Sequence, residues 1–522
     1  MTTFNSEQSF WSRGISTLTR KNKIIIALFC GLKLTMHLLA DYYSGFQADE
    51  LLHIQAGNHL AFGYMEFPPL IGLLAFIHNA FNSHSVFVHH IFTHIASLLI
   101  VLYVAKITIE LGGKNIAVFL VLLGVLIAPG FGRSQQLFQP VVFSQLFWVL
   151  SFYHLMMLVK YLETRYLWLL TVTVTLGFMT KYDAIFFIVG LSSLFLFRRT
   201  REFLFQQRLW QFIGVSLLLV GPNLIWQYVN DFPILKMMHR LYEVQLNSLE
   251  PIEVLTGLVV SVNPLNAIVV IFGFVFLFKK RNALYLPLAA MIILSSVLLV
   301  YFQGKGYYFY PIVLTILPFG IVAVENLLVK RKWAIYPVVL LMIASGWLLI
   351  PFGMPVNDLD DYLENIYPHE PNELVKGDTY RIRFEERYTQ EKWPRTMEIL
   401  KSVYDSLANN EKREVMIWGK HYGQAGAVNL FREAYQLPEA FSLHGSFYNW
   451  VPQGKMPETV IALGYDVGGF FNNYFEEVEI VKEISNPYSN DPEQVLQRIY
   501  ICRNPKQDFD KLKYQFRDRI YE

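Results

Sequence analysis

Asp49-Glu50-Leu51-Leu52-His53, followed by His59-Leu60-Ala61-Phe62-Gly63-Tyr64-Met65-Glu66-Phe67-Pro68-Pro69-Leu70, lies among long apolar runs. A chain that crosses a membrane places paired carboxylates at the water boundary only at a cost, so ionisable residues there are candidates for function. Asp and Glu equally suit the first turn of a solvated helix, through the helix dipole. Asp49 and His53 are one turn apart and share a face if the segment is helical. Gly63-Tyr64 and the Pro68-Pro69 pair stop that helix and bend the chain back toward the membrane. The expected element is a short helix along the interface, its carboxylates facing a cavity.

The composition around this segment agrees. Of 522 residues, 53% are hydrophobic and only 16% charged, where soluble domains carry about a quarter charged residues. A net charge of +2 speaks against a nucleic-acid binder, which would concentrate basic residues on one surface. Cys30 lies in the first apolar run and Cys502 near the far end, so a disulfide between them is not expected and the redox compartment stays open. Arg13, Arg20, Lys21 and Lys23 precede the first apolar run without a small-residue cleavage site, which reads as an uncleaved span.

A span takes about 20 mainly apolar residues. Candidate stretches fall near 24–41, 88–109, 115–130, 141–160, 166–180, 183–197, 210–229, 255–278, 283–302, 307–328 and 333–350, a total of about eleven. Residues 166–197 as one helix would run to roughly 48 Å, so Lys181-Tyr182-Asp183 is placed at a turn between two short spans. With the amino terminus inside, Lys160 and Arg165, then Arg198, Arg199, Arg201 and Arg208, then Lys279, Lys280 and Arg281, then Lys330, Arg331 and Lys332 all fall on the cytoplasmic side. An odd number of spans puts everything after residue 354 outside.

From Pro355 onward polar residues become frequent. A helical pattern covers 391–408, and strand-like runs occur at Val415-Met416-Ile417-Trp418, Thr459-Val460-Ile461-Ala462, Val478-Glu479-Ile480-Val481 and Arg498-Ile499-Tyr500-Ile501. The division expected is a membrane part, 1–354, and an extracytoplasmic α/β domain, 355–522, large enough for its own core.

Because basic residues concentrate inside, the external ones stand out: Arg133, Lys181, Lys236, Arg240 and Lys305. Lys305 sits in Gly304-Lys305-Gly306-Tyr307-Tyr308, where glycines let a ligand approach the backbone. A cation beside aromatics at headgroup depth suits a lipid phosphate; a lysine snorkelling from a helix end is the plainer alternative for any one of them. Histidines cluster at His78, His84, His89, His90 and His94. His90 and His94 have metal-ligand spacing, but without an HExxH glutamate or an evident carboxylate nearby, interfacial histidines satisfied by water or backbone account for them better. No Gly-rich nucleotide loop, paired-cysteine metal site or Ser-His-Asp order stands out.

The segment from Asp49 to Leu70 resembles the first external loop of bacterial relatives of the protein O-mannosyltransferases. Leu176-Gly177-Phe178-Met179-Thr180-Lys181-Tyr182 is similar to the family's "TKY" stretch, Pro222-Asn223-Leu224-Ile225-Trp226-Gln227 with Asn230-Asp231-Phe232-Pro233 to its "PN-x-x-W…NDFP" stretch, and Lys305-Gly306-Tyr307-Tyr308 to its "KGYY" stretch. Tyr422-Gly423-Gln424-Ala425-Gly426-Ala427, Leu437-Pro438, Ser446-Phe447-Tyr448-Asn449-Trp450 and Asn486-Pro487-Tyr488 resemble the soluble domain of the same group. The chain is thus identified as similar to the dolichyl-phosphate-mannose-protein mannosyltransferases and the aminoarabinose transferases, C-type membrane glycosyltransferases that use polyprenyl-phosphate sugars.

The resemblance implies that Asp49 is the general base on an acceptor hydroxyl and that Glu50 orients Asp49 or the acceptor, or binds a divalent metal where one is used. Inversion needs a carboxylate opposite the leaving phosphate and donors that stabilise its charge; Lys305, Lys181, Tyr307 and Arg133 are the candidates for the second role. His53, Glu66 and Tyr308 are candidates for lining the acceptor cavity. Two features depart from the pattern: Phe67 stands where aminoarabinose transferases carry a basic residue, and Gln139 stands in a loop where many relatives carry an acid. The expected protein is an inner-membrane glycosyltransferase acting on a glycan, lipid or protein acceptor outside the cytoplasm. Its rivals are a polyprenyl-lipid flippase, which mid-span charges or repeated halves would favour, and a non-catalytic scaffold.

Overall fold

The computed structural model describes residues 18–328, 331–368, 379–465, 469–489 and 495–521; Arg13 and Lys330, two of the basic residues expected inside, lie outside them. Among the described residues seven helices are long and apolar enough to cross a membrane: Arg20–Ser44, Ile91–Glu110, Pro140–Tyr161, Leu209–Val229, Lys280–Tyr301, Gly306–Leu328 and Ile335–Gly353. Two bent pairs raise the number to nine if each is one span. The chain is a multi-pass membrane protein.

The difference from the expected eleven has local causes. The run at 115–130 divides into Asn115–Leu126 and Pro129–Gln136, bent by 69°, because Pro129 cannot continue the ladder of amide donors. The run at 255–278 divides into Pro251–Ser261 and Pro264–Leu277, bent by 103°, where Asn263 adopts φ +74 and its side chain caps Leu265 N–H. The runs at 166–180 and 183–197 become Thr164–Phe178 and Ala184–Leu191, the latter tightening into a 3₁₀ turn over Ser192–Leu196. At 1.5 Å per residue neither reaches the roughly 30 Å of a hydrocarbon core. Lys181-Tyr182-Asp183 falls between them.

After Ile335–Gly353 the chain builds a six-stranded mixed sheet. Its strands are β1 (Thr379–Arg381), β2 (Met416–Gly419), β3 (Ala440–Phe441), β4 (Thr459–Tyr465), β5 (Phe475–Ser485) and β6 (Leu496–Pro505), in the order β1-β5-β6-β4-β2-β3. β2 pairs parallel with β3 and β4, and β6 runs antiparallel between β4 and β5. Both faces of β4 are covered, so Val460-Ile461-Ala462-Leu463 is continuously apolar and buried. Ile417, Ile461, Leu463, Ile499 and Ile501 join one core that runs unbroken into the membrane helices; Trp418, Val460, Ala462, Tyr500 and Cys502 form a separate core on the other face. Cys30 and Cys502 are both free thiols.

The first helix ends at Gly45, whose φ of +67 favours glycine and where an added Cβ would stand 2.6 Å from the Thr389 backbone. The chain then enters the expected interfacial helix, Ala48–Ala56, closed at its start by a capping box between Gln47 and Glu50.

Candidate active site

Consecutive residues on a helix point about 100° apart, and this separates the two carboxylates of the interfacial helix. Asp49 is half-buried, and its Oδ1 accepts a hydrogen bond of 2.6 Å from the Tyr422 hydroxyl. Glu50 does not face a cavity, contrary to the expectation for the pair. It is fully buried, with Oε2 accepting from Gln47 N–H at 2.8 Å and Oε1 from Phe138 N–H at 2.7 Å and His90 Nε2 at 2.6 Å. Glu50 therefore fixes the helix against the loop at Phe138 and leaves Asp49 as the more exposed carboxylate of the pair.

Tyr422 begins the helix Tyr422–Tyr435, which follows β2 and lies across the interfacial helix. The approach is close because Gly423 and Gly426 lie one turn apart: a Cβ at Gly423 would stand 2.7 Å from Ala48 Cβ, and one at Gly426 2.9 Å from Leu51 Cβ. Other groups from the sheet-bearing region seal the contact. Thr389 Oγ1 donates to the carbonyls of Ser44 and Phe46, Trp393 Nε1 donates to Phe46 O, and Trp450 stacks on His59 at 4.4 Å. Burial and the neighbouring Asp49 carboxylate push the Tyr422 hydroxyl well above the usual tyrosine range, so it stays a donor.

Glu66 lies on the same side. Its Oε1 accepts from Ser446 N–H at 2.9 Å and its Oε2 from Ser446 Oγ at 2.5 Å. Burial pushes its carboxyl up to about 7 against those hydrogen bonds, and the Asp49 charge adds to the rise. His53 is buried against Phe67 with Nδ1 3.1 Å from Phe138 O, and burial lowers its imidazole below the ordinary range.

The cations expected on the external side do not form one cluster. Lys181 Nζ pairs with Asp183 at 2.6 Å and lies over the rings of Tyr308 at 3.9 Å and Tyr307 at 5.6 Å. Burial would lower its ammonium, but Asp183 and Tyr308 hold it above the ordinary lysine range. Lys305 Nζ donates to Gln245 Oε1 at 2.6 Å at the rim of a 640 Å³ cavity, which Gly257, Gly306, Tyr307 and Tyr310 also line. Tyr307, one of the residues lining that cavity, lies within electrostatic reach of both Asp49 and Asp183. Arg133 stands apart, donating to Gln136 Oε1 at 2.9 Å and interacting with Glu50. Lys236 and Arg240 pair with Asp231 and Glu243 on a second cavity of 860 Å³, also lined by Met65, Tyr448 and Tyr521.

Three of the sequence motifs converge behind the site. Asn223 Nδ2 donates to Phe62 O at 2.9 Å, Gln227 Nε2 donates to Tyr64 O at 3.3 Å and to Tyr182 Oη at 2.9 Å, and Tyr182 donates to Asn223 Oδ1. They buckle the Gly63-Tyr64 turn to the Thr180-Lys181-Tyr182 loop. Gln139 donates to Gln47 Oε1 at the start of the interfacial helix.

Two histidines of the cluster correct the sequence reading. A carboxylate is present: Asp41 Oδ1 lies 2.8 Å from His90 Nδ1 and its Oδ2 lies 2.8 Å from His94 Nε2. These two rings are satisfied by carboxylates rather than by water or backbone, whereas His89 Nε2 meets the Ser83 carbonyl at 2.7 Å, as expected. An aspartate at the end of an otherwise apolar span was the signal that could have found it. Tyr422 stood in a motif, but nothing local assigned it a role.

Residues 66–226 match the family described as dolichyl-phosphate-mannose-protein mannosyltransferase, which bears out the resemblance read from the motifs. The structure is similar to that of ArnT from Cupriavidus metallidurans in the apo state, with a TM-score of 0.57 and 11% identity over 91% of this chain and 98% of that one. It is similar also to ArnT from Cupriavidus metallidurans bound to undecaprenyl phosphate, with a TM-score of 0.56 and 11% identity over 92% and 98%. The fold is thus the C-type, ArnT-like one: a bundle of apolar helices followed by a mixed-sheet domain. No curated protein sequence matches the chain.

Proposed function

We propose that this protein is an inverting glycosyltransferase that moves a sugar from a polyprenyl-phosphate carrier to an acceptor on the extracytoplasmic side of the membrane. The observation that carries this reading is Asp49, held by Tyr422 at 2.6 Å and within electrostatic reach of Tyr307, which lines a groove together with Lys305. The undecaprenyl phosphate bound to the Cupriavidus protein supports a polyprenyl-phosphate donor here. Asp49 takes the acceptor's proton as its oxygen attacks the anomeric carbon, and the bond to the carrier phosphate breaks on the opposite face. Lys181, Lys305 and the Tyr307 hydroxyl stabilise the charge that develops on that phosphate. Glu66 and Tyr308 line the reacting cavity, whereas His53, Glu50 and Arg133 position the interfacial helix. Residues 1–354 form the catalytic membrane part and 355–522 an extracytoplasmic domain of a bacterial inner-membrane protein whose amino terminus is cytoplasmic.

The test is sugar release from a panel of radiolabelled polyprenyl-phosphate sugars by protein in lipid, with a membrane acceptor extract. Consumption of one donor by the wild type, lost in Asp49→Asn with insertion and melting unchanged, supports the reading. Equal turnover by both proteins removes Asp49 as base, and no turnover of any donor removes the enzyme.

A further inference from the structure

Beneath the interfacial helix, three elements bring ionisable side chains together at zero or near-zero exposure. Asp41 ends the first membrane helix, His90 and His94 lie one turn apart at the start of Ile91–Glu110, and Glu50 reaches down from above. The ligand-type atoms of Asp41, His90 and His94 all fall within 4.8 Å of one another. We propose that these three residues bind a divalent cation of the zinc class, a structural ion at the external boundary of the membrane that anchors the helix carrying Asp49.

Four observations carry this. Two imidazoles and one carboxylate are the mixed nitrogen and oxygen donor set that suits zinc and its neighbours. The two histidines occupy one face of one helix, so both nitrogens reach the same carboxylate without distortion. A ligating histidine almost always has its second ring nitrogen held by a hydrogen-bond partner, and each has one: His90 Nε2 lies 2.6 Å from Glu50 Oε1, and His94 Nδ1 lies 3.4 Å from His37 Nδ1. Finally, Asp41 is a carboxylate whose side chain has no exposure, and a buried anion is costly unless compensated; a cation held between it and the two imidazoles supplies that compensation. Gln136 Nε2 donates to Asp41 Oδ1 at 2.9 Å and to Ser44 Oγ at 3.1 Å, fixing the carboxylate and placing a hydroxyl oxygen beside it. The assignment is independent of the transfer reaction.

The measurement is metal content by mass spectrometry on tag-free protein grown with zinc and dialysed against metal-free buffer, with thermal melting before and after a chelator. Expected are about one zinc per chain in the wild type, a melting temperature that falls on chelation and is restored by zinc chloride but not magnesium chloride, and loss of the metal in His94→Ala and Asp41→Asn. His89→Ala, whose ring contacts His78 and Ser83 O instead, should keep it. Wild-type protein with far less than stoichiometric metal and a chelator-insensitive melt would overturn the site, leaving a hydrogen-bonded network alone. So would metal retained in both ligand variants. Should those variants fail to fold, the wild-type stoichiometry and its zinc-specific restoration decide.

Discussion

A single hydroxyl from a residue 373 positions away holds the Asp49 carboxylate. A hydrogen bond to a charged group contributes about 1.5–3 kcal/mol, and in the proposed reaction this one orients the base. Tyr422→Phe keeps the ring and removes the bond, so it should lower kcat by about tenfold or more with donor KM little changed; steady-state kinetics with a saturating acceptor check this. Glu66 gives the pH prediction. Its carboxyl rises from 4.5 to about 7 on folding because it is buried. Such a group stabilises the fold while protonated; the contribution is complete below the unfolded value and is lost as pH rises through about 7. Glu66→Gln cannot titrate, so its stability relative to wild type should increase between about pH 5 and about pH 8, by up to about 3 kcal/mol. Melting curves at the two pH values test the sign, and an unchanged difference would place Glu66 in water. The position of Asp49 and Glu50 was legible from sequence, because carboxylates between apolar runs demand an explanation. Their division of labour was not, since it depends on which direction each faces once the Gln47 cap, Phe138 and His90 are in place.

At the scale of elements, sequence pattern located the interfacial helix and the strands β2, β4, β5 and β6, because each is a local pattern of burial; β1 and β3 are three and two residues long, too short to carry one. Span count was less legible. Asn263-Pro264 and Pro129 bend runs whose hydropathy alone reads as continuous, and nothing local in hydropathy distinguishes a short apolar helix from a crossing one. Equally hidden was the contact that assembles the site. Gly423 and Gly426 stood only within a motif in the sequence, yet they are the face on which the interfacial helix rests. A valine at Gly426 would drive its branches into Leu51, whose Cβ already lies 2.9 Å from where a Cβ would be. Gly426→Val should cost about 1–3 kcal/mol and, by tilting Tyr422 away from Asp49, lower transfer as well. Thermal melting together with activity checks it; full stability in the variant would mean that the two helices are not held together at this point.

Taken as one molecule, the chain carries two cavities. One is the 640 Å³ groove lined by Lys305, Gln245, Gly257 and Tyr307, the last within electrostatic reach of Asp49. The other is the 860 Å³ cavity lined by Met65, Lys236, Arg240, Tyr448 and Tyr521, the last within electrostatic reach of Glu66. The first is lined by residues between 244 and 310, and the second mixes polar side chains from both halves of the chain. If a lipid-linked donor uses the first and the acceptor the second, blocking one should affect one substrate only. Gly257 is the place to block: it lines the groove and a Cβ there meets no atom within 4 Å. Gly257→Trp adds an indole to a residue that lines the groove, so it should raise donor KM by about tenfold or more, a loss of roughly 1.4 kcal/mol or more of binding. Acceptor KM and kcat at saturating donor should stay near wild type, because Gly257 does not line the second cavity. A variant whose acceptor KM rises instead would assign the groove to the acceptor and reverse the two roles.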